Sequence, residues 1–75
     1  MNFNEIIRAL REDTDKTQKE MAIIFNTTQR KISRLETGQT EPTILDIKQY
    51  CYYYNKSADY ILGFTNEPIP LNRDN

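Results

Sequence analysis

The chain contains no histidine, no tryptophan and no valine, one cysteine and only two glycines. Each shortage removes a class of chemistry. Without histidine, neither a Ser–His nor a Cys–His nucleophilic pair can form. Cys51 alone cannot furnish the roughly four Cys and His ligands of a structural zinc site. A disulfide within the chain is equally excluded, which fits a reducing compartment. With glycine only at Gly38 and Gly63, there is no Gly-rich phosphate loop. The missing valine, together with the lack of any useful alternating apolar run, leaves no strand signal. Hydrophobic runs are short as well. The longest, Met21 to Phe25, is far below a bilayer span, and Glu5, Arg8 and Arg11 interrupt the only N-terminal apolar stretch, so no signal peptide is read. The expected compartment is the cytoplasm.

What is present is one small domain of 75 residues, 37% hydrophobic and 28% charged. A domain this size hides only about 60% of its unfolded surface, and at roughly 0.05–0.15 kcal/mol per residue its expected stability is about 4–11 kcal/mol. Glu12, Asp13 and Asp15 are carboxylates in one polar stretch, which reads as a solvated loop rather than an acid/base pair. No catalysis, metal, cofactor or small-molecule ligand is expected. The net charge is −1. Its distribution is uneven: residues 16–39 carry Lys16, Lys19, Arg30, Lys31 and Arg34 against Glu20 and Glu36, a net +3, and the segments on either side are each −2. A bulk-charge argument disfavours a nucleic-acid partner, whereas the basic middle third favours one.

Apolar periodicity predicts five helices. Phe3, Ile6, Ile7 and Leu10 form one helical stripe from Asn2 to about Glu12. Thr17 and Glu20 have capping-box spacing and open a second helix with Met21, Ala22, Ile24 and Phe25 as its buried face. Asn26 is suited to the left-handed residue that ends it. Thr28 caps a third helix, Gln29 to about Glu36, with Ile32 and Leu35 inward and Gln29, Arg30, Ser33 and Arg34 outward; Gly38 ends it. Thr43 opens a fourth, through about Tyr54, with Ile44, Ile47, Tyr50, Cys51 and Tyr54 on its stripe, and Ser57 caps a short fifth that ends at Gly63. The expected organisation is an all-α, five-helix bundle over residues 1–64 and an extended tail over 65–75 that contains Pro68 and Pro70.

Two short helices joined by a tight turn, with a polar outward face on the second, form a helix-turn-helix pattern. The stretches Thr17-Gln18-Lys19-Glu20-Met21-Ala22, Phe25-Asn26-Thr27-Thr28 and Ile32-Ser33-Arg34-Leu35-Glu36-Thr37-Gly38 resemble the lambda repressor-like, Cro/C1-type family of DNA-binding regulators. Ile7-Arg8-Ala9-Leu10-Arg11, Glu41-Pro42-Thr43 and Ser57 to Gly63 fit the same family, so the resemblance spans about residues 5–64. The chain departs from it at Asn26, where glycine is usual, and at Thr27, Lys16 and Lys56, where apolar residues are usual.

The resemblance implies a sequence-specific double-stranded DNA-binding transcriptional regulator, most simply a repressor, of bacterial, phage or mobile-element origin. It assigns base reading to Thr28, Gln29, Arg30 and Arg34. Arginine can engage guanine, and glutamine adenine, with two hydrogen bonds. Gln18, at a helix N-terminus, is expected on phosphate, with Lys31, Ser33, Thr37, Gln39 and Thr40 as further phosphate candidates. Arg11 and Glu36 are the implied structural ion pair. One recognition helix reads few base pairs, so a homodimer on a pseudo-palindromic operator is expected. Leu45, Tyr52, Tyr53, Tyr60 and Phe64, with Ile69 and Leu71, are apolar residues that the five-helix core cannot all absorb, and the first five are the expected interface. The rival reading is an antitoxin-like module that neutralises a partner enzyme and binds DNA secondarily.

Overall fold

A computed structural model describes residues 1–71. Within them the chain forms α1 (Phe3–Asp13), α2 (Gln18–Ile24), α3 (Gln29–Thr37), α4 (Ile44–Tyr54) and α5 (Ala58–Leu62), with no strand among the described residues. All five helices are too short to be stable alone in water, so their ends and their packing decide the fold. All five N-termini are capped by side chains. Thr17 and Glu20 form the reciprocal capping box, Thr43 and Asp46 form a second, and Asn2 and Glu5 a third. Thr28 and Ser57 accept the N–H of Lys31 and Tyr60 respectively. Asn26 and Asn55 adopt left-handed backbone at φ 54° and 52°, which satisfies the chain reversals after α2 and α4 without glycine.

Ile6, Ile7, Met21, Ala22, Phe25, Ile32, Leu35, Tyr50, Cys51 and Ile61 make the core, drawn from all five helices and the turn after α2. Tyr50 lies at its aromatic centre, with Phe25 edge-on at 4.8 Å and Tyr54 stacked at 6.3 Å. Two residues assigned to buried stripes are exposed. Ile24, 41% exposed, is the last residue of a seven-residue helix whose inward line is already filled by Met21 and Phe25. Ile44, 75% exposed, has the right helical phase but sits at the first position of α4, a turn short of the core.

The segment after α5 is not surplus along its whole length. The Ser57 N–H donates to the Ile69 carbonyl at 2.8 Å, and Leu71 packs partly buried against the core, as does Tyr60. Tyr60 and Leu71 are therefore partly absorbed by their own domain. The remainder of the expected tail, 72–75, lies outside the described residues.

Candidate nucleic-acid interface

The turn between α2 and α3 is fixed from both sides. Phe25 is buried beneath it, and the Thr27 N–H reaches back to the Ala22 carbonyl at 2.8 Å. Gln49 of α4 donates to the Phe25 carbonyl at 3.4 Å. These contacts set where α3 begins. Its rotation follows from what it buries: Ile32, Leu35 and Glu36 face inward, so Gln29, Arg30 and Arg34 are exposed on the far side. Arg30 and Arg34, four residues apart, lie one above the other on this face. Among the described residues neither makes an ion pair, so both guanidiniums are available to a ligand. Thr28 is exposed at the leading edge, its hydroxyl oxygen accepting the Lys31 N–H at 3.1 Å.

Glu36 is a buried carboxylate that ties three helices together. Arg11 of α1 donates to it twice, from Nε at 2.6 Å and from a terminal nitrogen at 3.0 Å, and Gln18 of α2 donates its amide at 3.0 Å. The other terminal nitrogen of Arg11 donates to the Lys16 carbonyl at 2.8 Å. Each of the three guanidinium nitrogens thus donates once, and the hydrogen bonds to Glu36 raise the already high pKa of Arg11. Because a carboxylate only accepts, the Gln18 amide must turn its NH2 toward Glu36; one hydrogen is held there and the second remains free.

Among the other phosphate candidates, Ser33 is half-buried on the flank of α3, and the Thr37 hydroxyl donates back to the Ser33 carbonyl at 2.9 Å. Gln39 is exposed and Thr40 half-buried in the loop after Gly38. Lys31 is placed differently from Arg30 and Arg34. Its ammonium pairs with Asp46 of α4 at 3.3 Å. Sequence reasoning missed this pair and the role of Gln49, which lie 15 and 24 residues from their partners. The Thr43-x-x-Asp46 spacing was legible as a capping box and would have located the carboxylate.

The interface candidates divide. Leu45, Tyr52 and Tyr53 line one groove of about 490 Å³ with Ile24, Phe25, Lys48 and Gln49. Phe64, at 79% exposed, is not part of that groove, and neither is Tyr60.

A short α2, a fixed turn and an α3 with a basic, polar outward face form a helix-turn-helix DNA-binding domain. A family model described as Helix-turn-helix matches residues 7–61, well over half of the chain, and the chain belongs to this Cro/C1-type helix-turn-helix family. No curated protein and no solved structure matches it. No helix among the described residues is long and apolar enough to cross a membrane.

Proposed function

We propose that this chain is a sequence-specific transcriptional regulator, acting in the cytoplasm as a repressor by covering a promoter, without catalysis. The observation that carries the reading is the free pair Arg30 and Arg34 with Gln29 on the exposed face of α3, a helix held by buried ion-pair chemistry at Glu36. Inserted in a major groove, these side chains and the Thr28 methyl read base edges, since arginine matches guanine and glutamine adenine. Gln18 through its second amide hydrogen, and Ser33, Thr37, Gln39 and Thr40, hold phosphate and set register. The exposed Leu45, Tyr52, Tyr53 and Phe64 support a two-fold homodimer on a pseudo-palindromic operator, because a few base pairs per helix are too little to mark one site in a genome.

Selection of bound sites from random duplex DNA tests this. The expected product is a site with two-fold symmetry, to which Arg30→Ala binds about 1–3 kcal/mol more weakly with relaxed preference at one base pair. A folded Arg30→Ala variant with unaltered binding removes the base-reading assignment. An asymmetric site saturated by one protomer removes the dimer.

A further inference from the structure

Three cations lie on α3, and they are not equivalent. Arg30 and Arg34 have no ion-pair partner among the described residues, whereas Lys31 is held by Asp46. The partner is an unusual choice for a surface lysine. The Asp46 side chain is 12% exposed, and the oxygen that faces Lys31, Oδ2, also accepts the Thr43 N–H at 2.8 Å. That hydrogen bond, with the reciprocal Asp46 N–H to the Thr43 hydroxyl at 3.1 Å, already completes the cap of α4. The lysine is not needed for the cap. What the pair does is fix an ammonium on the flank of the recognition helix and turn it toward α4.

The consequence concerns specificity. Phosphate contacts by lysine are blind to sequence and strengthen binding to every duplex, whereas arginines on base edges discriminate. A cation withheld from the backbone lowers non-specific affinity and leaves base reading untouched, which raises the ratio that matters against a genome of competing sites. We propose that Asp46 is a specificity-determining residue: it sequesters the Lys31 ammonium from the DNA backbone and suppresses non-specific binding. The proposal rests on the DNA-binding reading above.

The test is an anisotropy titration of a random-sequence duplex at several salt concentrations. The wild-type chain is compared with Asp46→Asn, Lys31→Met, the double variant, and Asp59→Asn as a charge-matched control on α5. Asparagine at 46 keeps a side-chain oxygen for the Thr43 N–H and removes the charge that holds Lys31. One added phosphate contact steepens the slope of log K against log salt by about 0.9, which at 0.15 M is roughly fivefold in affinity relative to 1 M. Asp46→Asn is expected to show both changes, with Lys31→Met, the double variant and Asp59→Asn close to wild type.

A carboxylate that merely braced α3 gives a different pattern, with Asp46→Asn and Lys31→Met weakening specific binding alike. Lys31→Met flattening the slope on its own shows the ammonium already on phosphate and overturns the proposal. Asp46→Asn behaving like Asp59→Asn does the same. If circular dichroism shows Asp46→Asn unfolded, the Lys31→Met slope decides alone, an unchanged slope supporting sequestration. Wild type and every variant failing to bind any duplex removes the DNA-binding reading and this proposal together. A selected, Arg30-dependent site with no effect of Asp46→Asn removes this proposal only.

Discussion

Replacing Glu36 by alanine should remove at least a quarter of the stability of the domain. The carboxylate side chain is 2% exposed and receives three hydrogen bonds, two from Arg11 and one from Gln18. Its removal leaves the Arg11 guanidinium, itself only 13% exposed, with the Lys16 carbonyl as its remaining partner. Stranding one member of a buried pair costs about 3–5 kcal/mol. Against an expected total of about 4–11 kcal/mol for a chain of this length, that is between a quarter and all of the stability. At about 4–8 °C per kcal/mol, the melting temperature should fall by roughly 12–40 °C. Urea titration followed by far-UV circular dichroism, with linear extrapolation, measures the cost. The pair can be separated from its parts by a cycle. Arg11→Met and Glu36→Leu should each be costly alone, while the two combined should recover most of the loss, because an apolar pair of similar volume needs no partner. Single variants each costing under about 1 kcal/mol would mean that the pair behaves as an exposed one. A double variant that costs the sum of the singles would mean no coupling. Either result refutes the view that Glu36 holds α1, α2 and α3 together.

Three further outcomes follow from particular contacts. Among the described residues the buried Tyr50 hydroxyl has no protein partner, and burial pushes its pKa far up, so Tyr50→Phe should be neutral or stabilising by up to about 1 kcal/mol in the same urea assay; a loss above that would show that the hydroxyl is bonded. Gly38 and Gly63 both have left-handed φ, at 76° and 87°, but a Cβ on Gly63 would stand 2.5 Å from the Met1 carbonyl oxygen while one on Gly38 meets only the Asn4 side chain at 3.4 Å. Both alanine variants carry about 1–2 kcal/mol of backbone cost, so Gly63→Ala should melt below Gly38→Ala, and equal melting temperatures would count against the Met1 contact. The Glu20 carboxyl is held below the usual carboxylate range, first by the Thr17 N–H it accepts. A depressed folded value means that its capping contribution is present above the unfolded pKa and is lost as pH falls through the folded one; an NMR titration should place the Glu20 midpoint below that of Glu in an unfolded peptide, and Thr17→Ala, which removes the hydroxyl and keeps the N–H, should return it only part of the way.

The helix ends were the most readable part of this chain, because a cap is a contract between residues three apart. Thr17, Thr28, Thr43 and Ser57 all cap where their spacing said, and Asn26, Gly38 and Gly63 all take left-handed backbone. Asn2-x-x-Glu5 is the same signal and went unread. Periodicity was less reliable at helix ends, as Ile24 and Ile44 show, since phase says which side a residue faces but not whether the core reaches that far. Contacts that join distant segments left no local trace. The Lys31–Asp46 pair, the Gln18–Glu36 bond and the return of Ile69 to the Ser57 N–H depend on how helices dock, which no spacing within one helix encodes.

The Met1 carbonyl lies against Gly63, at the end of α5, and α1 packs on that helix. Of the five helices, the first made therefore completes its packing only with the last, although α3 reaches it sooner. About fifty residues separate the end of α1 from the end of α5, which at 5–20 residues per second is roughly 2–10 s of ribosome time. Helix–coil exchange takes microseconds or less, so α1 forms and dissolves many times over before α5 exists. During that interval Ile6 and Ile7 can be covered only in part, by α3 once it is made. The cell must tolerate a partly covered amphipathic segment for seconds, and the core is complete only when Ile61 of α5 joins it.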